Sequence, residues 1–443
     1  IREAMGRAMR VLGKQFVVGE TLVGAMKAAK PLEAKGYRFS YDMLGEGART
    51  YQDAQRYFDS YAGALHDLID NQNNKKAVQP GISVKLSALH PRFEVANQEN
   101  CVPEITEKLI QLCEIAASNN LTLTVDAEEA ARLDLTLQII ENVCLQPQFK
   151  KWQGFGVAVQ AYQKAAPVVI DHIIHMAQAY DRKLQLRLVK GAYWDTEIKH
   201  AQIEGLKDYP VYTRKSNTDL SYLRCVQKLL RHKDVIYPMF GTHNAHTVAA
   251  ILEMAGKDKK GFEFQKLFGM GDALYNAVLS KEDVTVCVYA PVGPYQDLLP
   301  YLVRRMLENG ANSSFVNQIY DREYTPEDIS RDPVKQAQGN ESKRHPKIAL
   351  PENIYGDGRQ NSAGLDFNDT ESVKNLLENM YEDFINSPDY FLKNKNFPLI
   401  RKKIKSQKNQ EKIFFSEDEK NVVIGLLAEV GFTISLLVAI KKE

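Results

Sequence analysis

Runs of alternating apolar and polar or β-branched residues occupy positions 37–43, 81–86, 121–126, 156–160, 184–189, 235–240, 262–267 and 284–289. Between them lie longer segments whose apolar residues recur at helical spacing, among them 51–69, a helix through Leu109 and Ile115, 132–143 and 165–180. A parallel pair of strands needs a crossover long enough to hold a helix, so this alternation predicts parallel βα units. Eight such units predict a (β/α)8 barrel, a fold of about 250 residues. The rival is a doubly wound open sheet, which normally places a glycine-rich phosphate turn after its first strand. Here Met43-Leu44-Gly45-Glu46-Gly47 lacks the GxGxxG spacing.

Polar residues of unusual kinds collect where the barrel strands should end. Glu46 follows the first strand, Lys85 lies near the end of the second, Asp126 ends the third and Gln160 the fourth. Arg187 and Lys190 fall at the end of the fifth, Thr242-His243-Asn244 follow the sixth, and Tyr289 ends the eighth. A barrel built only for packing carries branched apolar side chains inside, and barrel enzymes place their chemistry at the C-terminal strand ends. One such residue is unremarkable; seven strand ends converging on one mouth predict a site. Its lysines and arginines suit a phosphate or carboxylate. Residues 301–308 predict a helix carrying the adjacent pair Arg304-Arg305, which can grip one carboxylate from two directions. A lysine inside a barrel is also what a Schiff-base lyase uses, through Lys85 or Lys190. Spacing alone leaves a lyase and a flavin enzyme both open.

Composition narrows the class. Lysine and arginine total 57 against 56 aspartate and glutamate, a net charge of +1, which predicts no nucleic-acid partner. The five cysteines are scattered without a CxxC pair or a Cys/His cluster, so neither a zinc site nor a disulfide framework is expected. A reducing, cytoplasmic compartment follows. The chain opens at Ile1 with no initiator methionine and no signal-peptide pattern, which reads as a fragment lacking its upstream part.

Further detail comes from motifs. Tyr41-Asp42-Met43-Leu44-Gly45-Glu46, Ile82-Ser83-Val84-Lys85-Leu86-Ser87, Val125-Asp126-Ala127-Glu128-Glu129 and Gln160-Ala161-Tyr162-Gln163-Lys164 occur in order. Arg187-Leu188-Val189-Lys190-Gly191-Ala192-Tyr193-Trp194, Tyr212-Thr213-Arg214-Lys215, Thr242-His243-Asn244, Tyr289-Ala290-Pro291-Val292-Gly293 and Tyr301-Leu302-Val303-Arg304-Arg305 continue the series. With these motifs the chain closely resembles, over about residues 1–380, the proline dehydrogenase domain of the bifunctional proline utilization A flavoproteins. The resemblance implies a distorted (β/α)8 barrel that oxidises L-proline to Δ1-pyrroline-5-carboxylate, with non-covalent FAD taking the C5 hydride at flavin N5. It implies that Arg304, Arg305 and Lys85 clamp the substrate carboxylate, with Tyr289, Leu267, Tyr301 and Asp126 as pocket wall. Glu46 would pair with Arg304 as a gate. Arg187 would donate to flavin N5 and Gln160 would meet the pyrimidine edge. Val189, Lys190, Gly191, Tyr193 and Trp194 match the loop along the cofactor, with Asp126 beside it. Thr213, Lys215, Thr242, His243 and Asn244 match ribityl, pyrophosphate and adenosine contacts. A membrane quinone is the implied electron acceptor, with peripheral contact to the inner membrane.

The expected organisation is therefore a helical extension over 1–36, the barrel over 37–330, a tail over 381–443 and, between them, 331–380 as linker. Within that linker, Ile348-Ala349-Leu350-Pro351 and residues 355–364 resemble the opening of the family's aldehyde dehydrogenase domain. The rest of that second domain, and its activity, are expected to be missing or supplied by a separate chain. The tail joins a lysine-rich stretch, 393–412, to an apolar run, 422–440, interrupted by Glu429. Such a run is long enough to span a bilayer, but it reads equally as a buried helix or an aberrant tail. A truncated, inactive remnant is the third functional alternative.

Overall fold

The computed structural model describes residues 13, 15–71, 80–294, 297–310, 325, 332–369, 371–376 and 378–379. The expected start of an N-terminal helix, the lysine-rich stretch and the apolar run at 422–440 lie outside these residues. The chain divides into two units, 1–363 and 364–443; all that follows concerns the first.

After α1 (Leu22–Glu33) the chain enters β1 (Tyr37–Met43), α2 (Tyr51–Asp70), β2 (Gly81–Val84) and α3 (Gln98–Ser118). There follow β3 (Thr122–Val125), α4 (Leu133–Cys144), β4 (Phe155–Gln160), α5 (Ala166–Ala179) and β5 (Leu184–Val189). Two helices, α6 (Trp194–Ile203) and α7 (Lys215–Arg231), separate β5 from β6 (Ile236–Gly241). The barrel ends with α8 (Ala245–Ala255), β7 (Glu263–Leu267), α9 (Asp272–Lys281), β8 (Thr285–Val292) and α10 (Leu299–Gly310); α11 (Pro333–Gln338) follows. Local sequence sets several of these starts. At α2 the Thr50 hydroxyl accepts from Asp53 N at 3.0 Å, and the Asp53 carboxylate accepts from Thr50 N at 3.1 Å, a reciprocal cap.

All eight strands are parallel, and β1 closes the barrel on β8 in a continuous register from Tyr37↔Val286 to Met43↔Val292. The expected (β/α)8 architecture is the one observed. Strand alternation divides the chemistry. Leu184, Leu186 and Leu188 of β5 turn outward and join the main core with the helices. The opposite face carries Arg187, which meets side chains from β1, β2 and β7 across the barrel interior.

Three strand ends differ from expectation. Tyr289 does not end β8, because pairing with β1 continues to Val292. Pro291 has no N–H to give, but its carbonyl accepts from Val18 N at 3.0 Å and the strand runs on. Lys85 and Asp126 lie one residue beyond β2 and β3, at the points where the chain leaves the ladder. Trp194 opens α6 instead of lying in a loop.

Strands β2 and β3 approach so closely at Gly81 that an added Cβ would stand 2.3 Å from the Thr122 carbonyl oxygen. Gly81→Ala is therefore expected to cost about 1–3 kcal/mol through forced backbone separation, read as a lowered urea midpoint with unchanged m-value.

Candidate active site

The barrel interior is polar, and its charges balance. Arg38, Lys85 and Arg187 face Asp42, Asp126 and Glu263. At the base, Arg38 donates to Glu263 at 2.5 Å. The other Glu263 oxygen accepts from the Gln265 amide at 2.8 Å, and Gln265 Oε1 accepts from Arg187 Nε at 2.7 Å. The Arg187 Nη1 donates to Asp126 Oδ1 at 2.5 Å, and Nη2 donates to Ser83 at 3.0 Å. Lys85 Nζ donates to Asp42 at 2.6 Å and to Asp126 Oδ2 at 3.1 Å, and the Tyr289 hydroxyl donates to that same Asp126 oxygen at 2.7 Å. The Arg187 guanidinium also lies 5.0 Å from the centre of the Tyr289 ring.

This packing sets the protonation states. Burial alone would lower the Lys85 ammonium, but Asp42, the Tyr289 oxygen and Asp126 outweigh it and hold it well above the ordinary lysine value. Burial likewise opposes ionisation of Asp126, yet Lys85 and Arg187 hold its carboxyl below the usual range. Asp42 goes the other way: burial pushes its carboxyl up in spite of Lys85. Burial, and then the Asp126 charge, push the Tyr289 phenol far up. A Schiff-base nucleophile must be unprotonated, so a lysine fixed as an ammonium between two carboxylates is in the wrong state for that chemistry. Lys190 is no better placed, being ion-paired to Asp219. The lyase reading loses both of its lysines. Lys85, expected in the carboxylate clamp, is held as an ammonium by Asp42 and Asp126, the carboxylate that also accepts from Tyr289.

Above this network lies a cavity of about 790 Å³, within the range of cofactor and ligand sites, roughly 300–1,000 Å³. Its inner end is lined by Lys85, Asp126, Arg187, Leu267 and Tyr289, and α10 supplies Tyr301, Arg304 and Arg305. A second small core of Phe16, Leu44, Met270, Leu298, Tyr301 and Leu302 seats α10 on the barrel. Glu46 does not line the cavity but accepts two bonds from Arg304, at 2.6 and 2.8 Å. Burial of Glu46 is outweighed by that guanidinium, which holds its carboxyl below the ordinary range.

The remaining expected residues extend the same cavity: Gln160, Val189, Lys190, Gly191, Tyr193, Trp194, Thr213, Lys215, Thr242, His243 and Asn244. Lys190 and Lys215 both pair with Asp219 and both line the cavity, ammonium donors of the kind that suit phosphate. Gly191 has φ +139°, and a Cβ there would strike the Tyr162 ring at 2.5 Å, so the turn beside the cavity requires glycine. Several of these residues also serve the fold. Gln160 donates to Glu128 O at 2.8 Å and accepts from Ala192 N at 3.2 Å. Asn244 caps α8 through Thr247 N at 3.0 Å. The His243 Nε2 accepts from Leu267 N at 2.9 Å, which puts the ring hydrogen on Nδ1. Thr213 Oγ1 accepts from His345 N at 3.0 Å.

Sequence reasoning gave no role to Asp42, Ser40, Ser83 or Gln265. The signal was present in part: polar residues at 38, 40 and 42 alternate along β1 and must share its inner face. Nothing local points to Gln265, whose partners come from three strands.

Comparison with known proteins gives a consistent result. The family model described as proline dehydrogenase matches residues 25–318. The bifunctional protein PutA of Klebsiella aerogenes is 47% identical over 394 residues, covering 86% of this chain and 30% of that protein. Proline dehydrogenase 1 of Bacillus subtilis (strain 168) is 27% identical over 310 residues, covering 69% of this chain and 90% of that protein. A solved structure of proline utilization A from Bradyrhizobium japonicum is 49% identical with a TM-score of 0.78, covering 85% of this chain and 39% of that one. The chain thus spans about 30% of the length of the PutA proteins it matches.

The pairing network generates a stability test. Lys85→Met strands Asp42 in the interior, leaves Asp126 with Arg187 as its cation, and is expected to cost about 3–5 kcal/mol. Adding Asp42→Asn removes that stranded charge and should recover part of the loss. Urea midpoints of the two variants at pH 7 decide it.

Proposed function

The chain belongs to the proline dehydrogenase family, and on that premise we propose that it oxidises L-proline to Δ1-pyrroline-5-carboxylate with non-covalently bound FAD. The carrying observation is that the adjacent Arg304 and Arg305 of α10 line the same cavity as the buried Lys85–Asp126–Arg187–Tyr289 network. Proline is a zwitterion, and fixed guanidinium donors are what its carboxylate needs. FAD fits the donor set: a large cavity, ammonium donors at Lys190 and Lys215, and a glycine turn that keeps side chains away at Gly191. When bound, FAD would accept the hydride that leaves proline C5.

The protein's own groups do the positioning. Arg304 and Arg305 hold the carboxylate, and the Tyr289 ring, fixed by its bond to Asp126, sets the plane against which the pyrrolidine ring rests. Arg187, locked by Asp126 and Gln265, would donate to flavin N5 and favour the electron density that the hydride brings to the flavin ring. The Glu46–Arg304 pair ties α10 to the loop after β1 and shields the site from water. Lys190, Lys215, Thr213, Thr242, His243 and Asn244 would receive the phosphates and adenosine, Gln160 the pyrimidine edge, and Val189, Gly191, Tyr193 and Trp194 the ring and ribityl chain. Asp126 serves both substrate and cofactor by fixing Arg187 and Tyr289.

A membrane quinone as acceptor, and peripheral contact with the inner membrane from the cytoplasmic side, belong to the same proposal. Among the described residues no helix is long and apolar enough to cross a membrane. The apolar residues Leu299, Val303 and Met306, spaced along α10 and each more than 40% exposed, support contact at a surface.

Purified protein should be yellow and bleach on anaerobic addition of L-proline; a colourless preparation, unresponsive to proline with added FAD, overturns the reading. Arg305→Met should raise KM for proline about 10–100-fold, the worth of a charged hydrogen bond, while FAD retention stays at the wild-type level. Both are read by absorbance.

A further inference from the structure

Residues 340–349 belong to no strand or helix and lie beyond the stretch matched by the family model, 25–318. Closure of the eight strands does not involve them. Yet this strap is fastened at several points. Asn217 Nδ2 donates to Lys343 O and Arg214 Nε to Arg344 O, both at 2.9 Å. His345 N donates to Thr213 Oγ1 at 3.0 Å, and the Tyr209 hydroxyl donates to Ala349 O at 2.7 Å. Every one of these anchors falls between residues 209 and 217, the end of the α6–α7 connection and the first turn of α7, which carry Thr213 and Lys215.

The strap also enters the cavity, where His345 and Ile348 form part of the wall. Ile348 packs against a small core of Tyr162, Ile198, Ala201, Tyr209 and Val211, on which Tyr193 and Trp194 also rest. Tyr162 is the ring that forbids a side chain at Gly191. One apolar side chain thus braces the turn at 191–194 from outside, while the backbone on either side of it is pinned by hydrogen bonds. Irregular backbone held by so many side chains loses the freedom that loops normally keep.

Resting on the FAD reading above, we propose that the strap is a built part of the cofactor site. His345 and Ile348 wall the phosphate and adenosine end beside Thr213 and Lys215. Through Tyr193 and Trp194, Ile348 also holds the 191–194 turn in its receiving shape. Its action is on cofactor affinity and not on the substrate, because the anchors lie along the α6–α7 connection and the first turn of α7, and none falls on α10.

The test uses the full chain carrying Tyr209→Phe, which removes the anchor at Ala349 and a bond from Gln202, and separately Ile348→Ser. FAD affinity is measured by fluorescence titration of deflavinated protein, KM for proline at saturating FAD, and folding by thermal unfolding followed by circular dichroism. The expected result is FAD binding weakened tenfold or more in both variants, with cooperative unfolding retained and KM for proline within twofold of wild type. Wild-type FAD affinity in both variants overturns the inference. So does a loss that appears only together with loss of the unfolding transition, or a KM change as large as the affinity change. A wild-type protein that binds no FAD sinks the functional proposal itself, a separate outcome.

Discussion

Charges inside a closed barrel cannot reach water, so each must find its opposite within the barrel or the strands will not close around it. Arg38, Lys85 and Arg187 meet Glu263, Asp126 and Asp42, and the neutral groups Gln265, Ser83 and Tyr289 fill the remaining donor and acceptor positions. Typical barrels fill this space with branched apolar layers. Here packing is left to the outer strand faces and the helices, and the interior becomes a polar scaffold. That arrangement is poor as a source of net stability but strong as a source of geometry. Arg187 is held from four sides, and Tyr289 is held by a carboxylate that is itself held by two cations.

The site above the network inherits this rigidity, and its other walls are more loosely attached. Helix α10 rests on a small core that includes Phe16, from before α1, and Leu44, from after β1, and it is tied to the β1 loop by Glu46 and Arg304. Among the described residues this wall is joined by the partly buried Glu46–Arg304 pair and a small apolar core, a lighter attachment than the charge network below. A fixed floor with a releasable cover is what a site needs if it must admit substrate and then exclude water.

Several of the cavity residues also hold the fold together. Asn244 caps α8, Gln160 bridges Glu128 and Ala192, and Thr213 receives a backbone bond from the strap. Substituting any of them disturbs the local backbone as well as the cavity. Loss of a ligand in such a variant is therefore ambiguous, whereas Arg305, on the surface of α10 that meets the cavity, offers a cleaner reading.

Much of this was legible in the chain. The alternation of strand and helix periods determined the parallel barrel, because a period of two and a crossover of helical length leave few other topologies. The polar residues at strand ends predicted a site at the mouth, and nearly all of those singled out do line one cavity. Pairing was not legible, because it depends on which strands face one another across the barrel. Asp42 and Gln265 are unremarkable in their own strands and acquire meaning only opposite Lys85 and Arg187. Lys85 reads from sequence as a reactive or substrate-binding amine. Only the tertiary structure, by placing two carboxylates within 3.1 Å of its nitrogen, makes it a fixed cation. The strap at 340–349 includes the start of the motif Ile348-Ala349-Leu350-Pro351, but nothing local points it to the cavity. Its place is decided by hydrogen bonds to residues more than 120 positions earlier, and separations of that kind are set by folding, not by spacing along the chain.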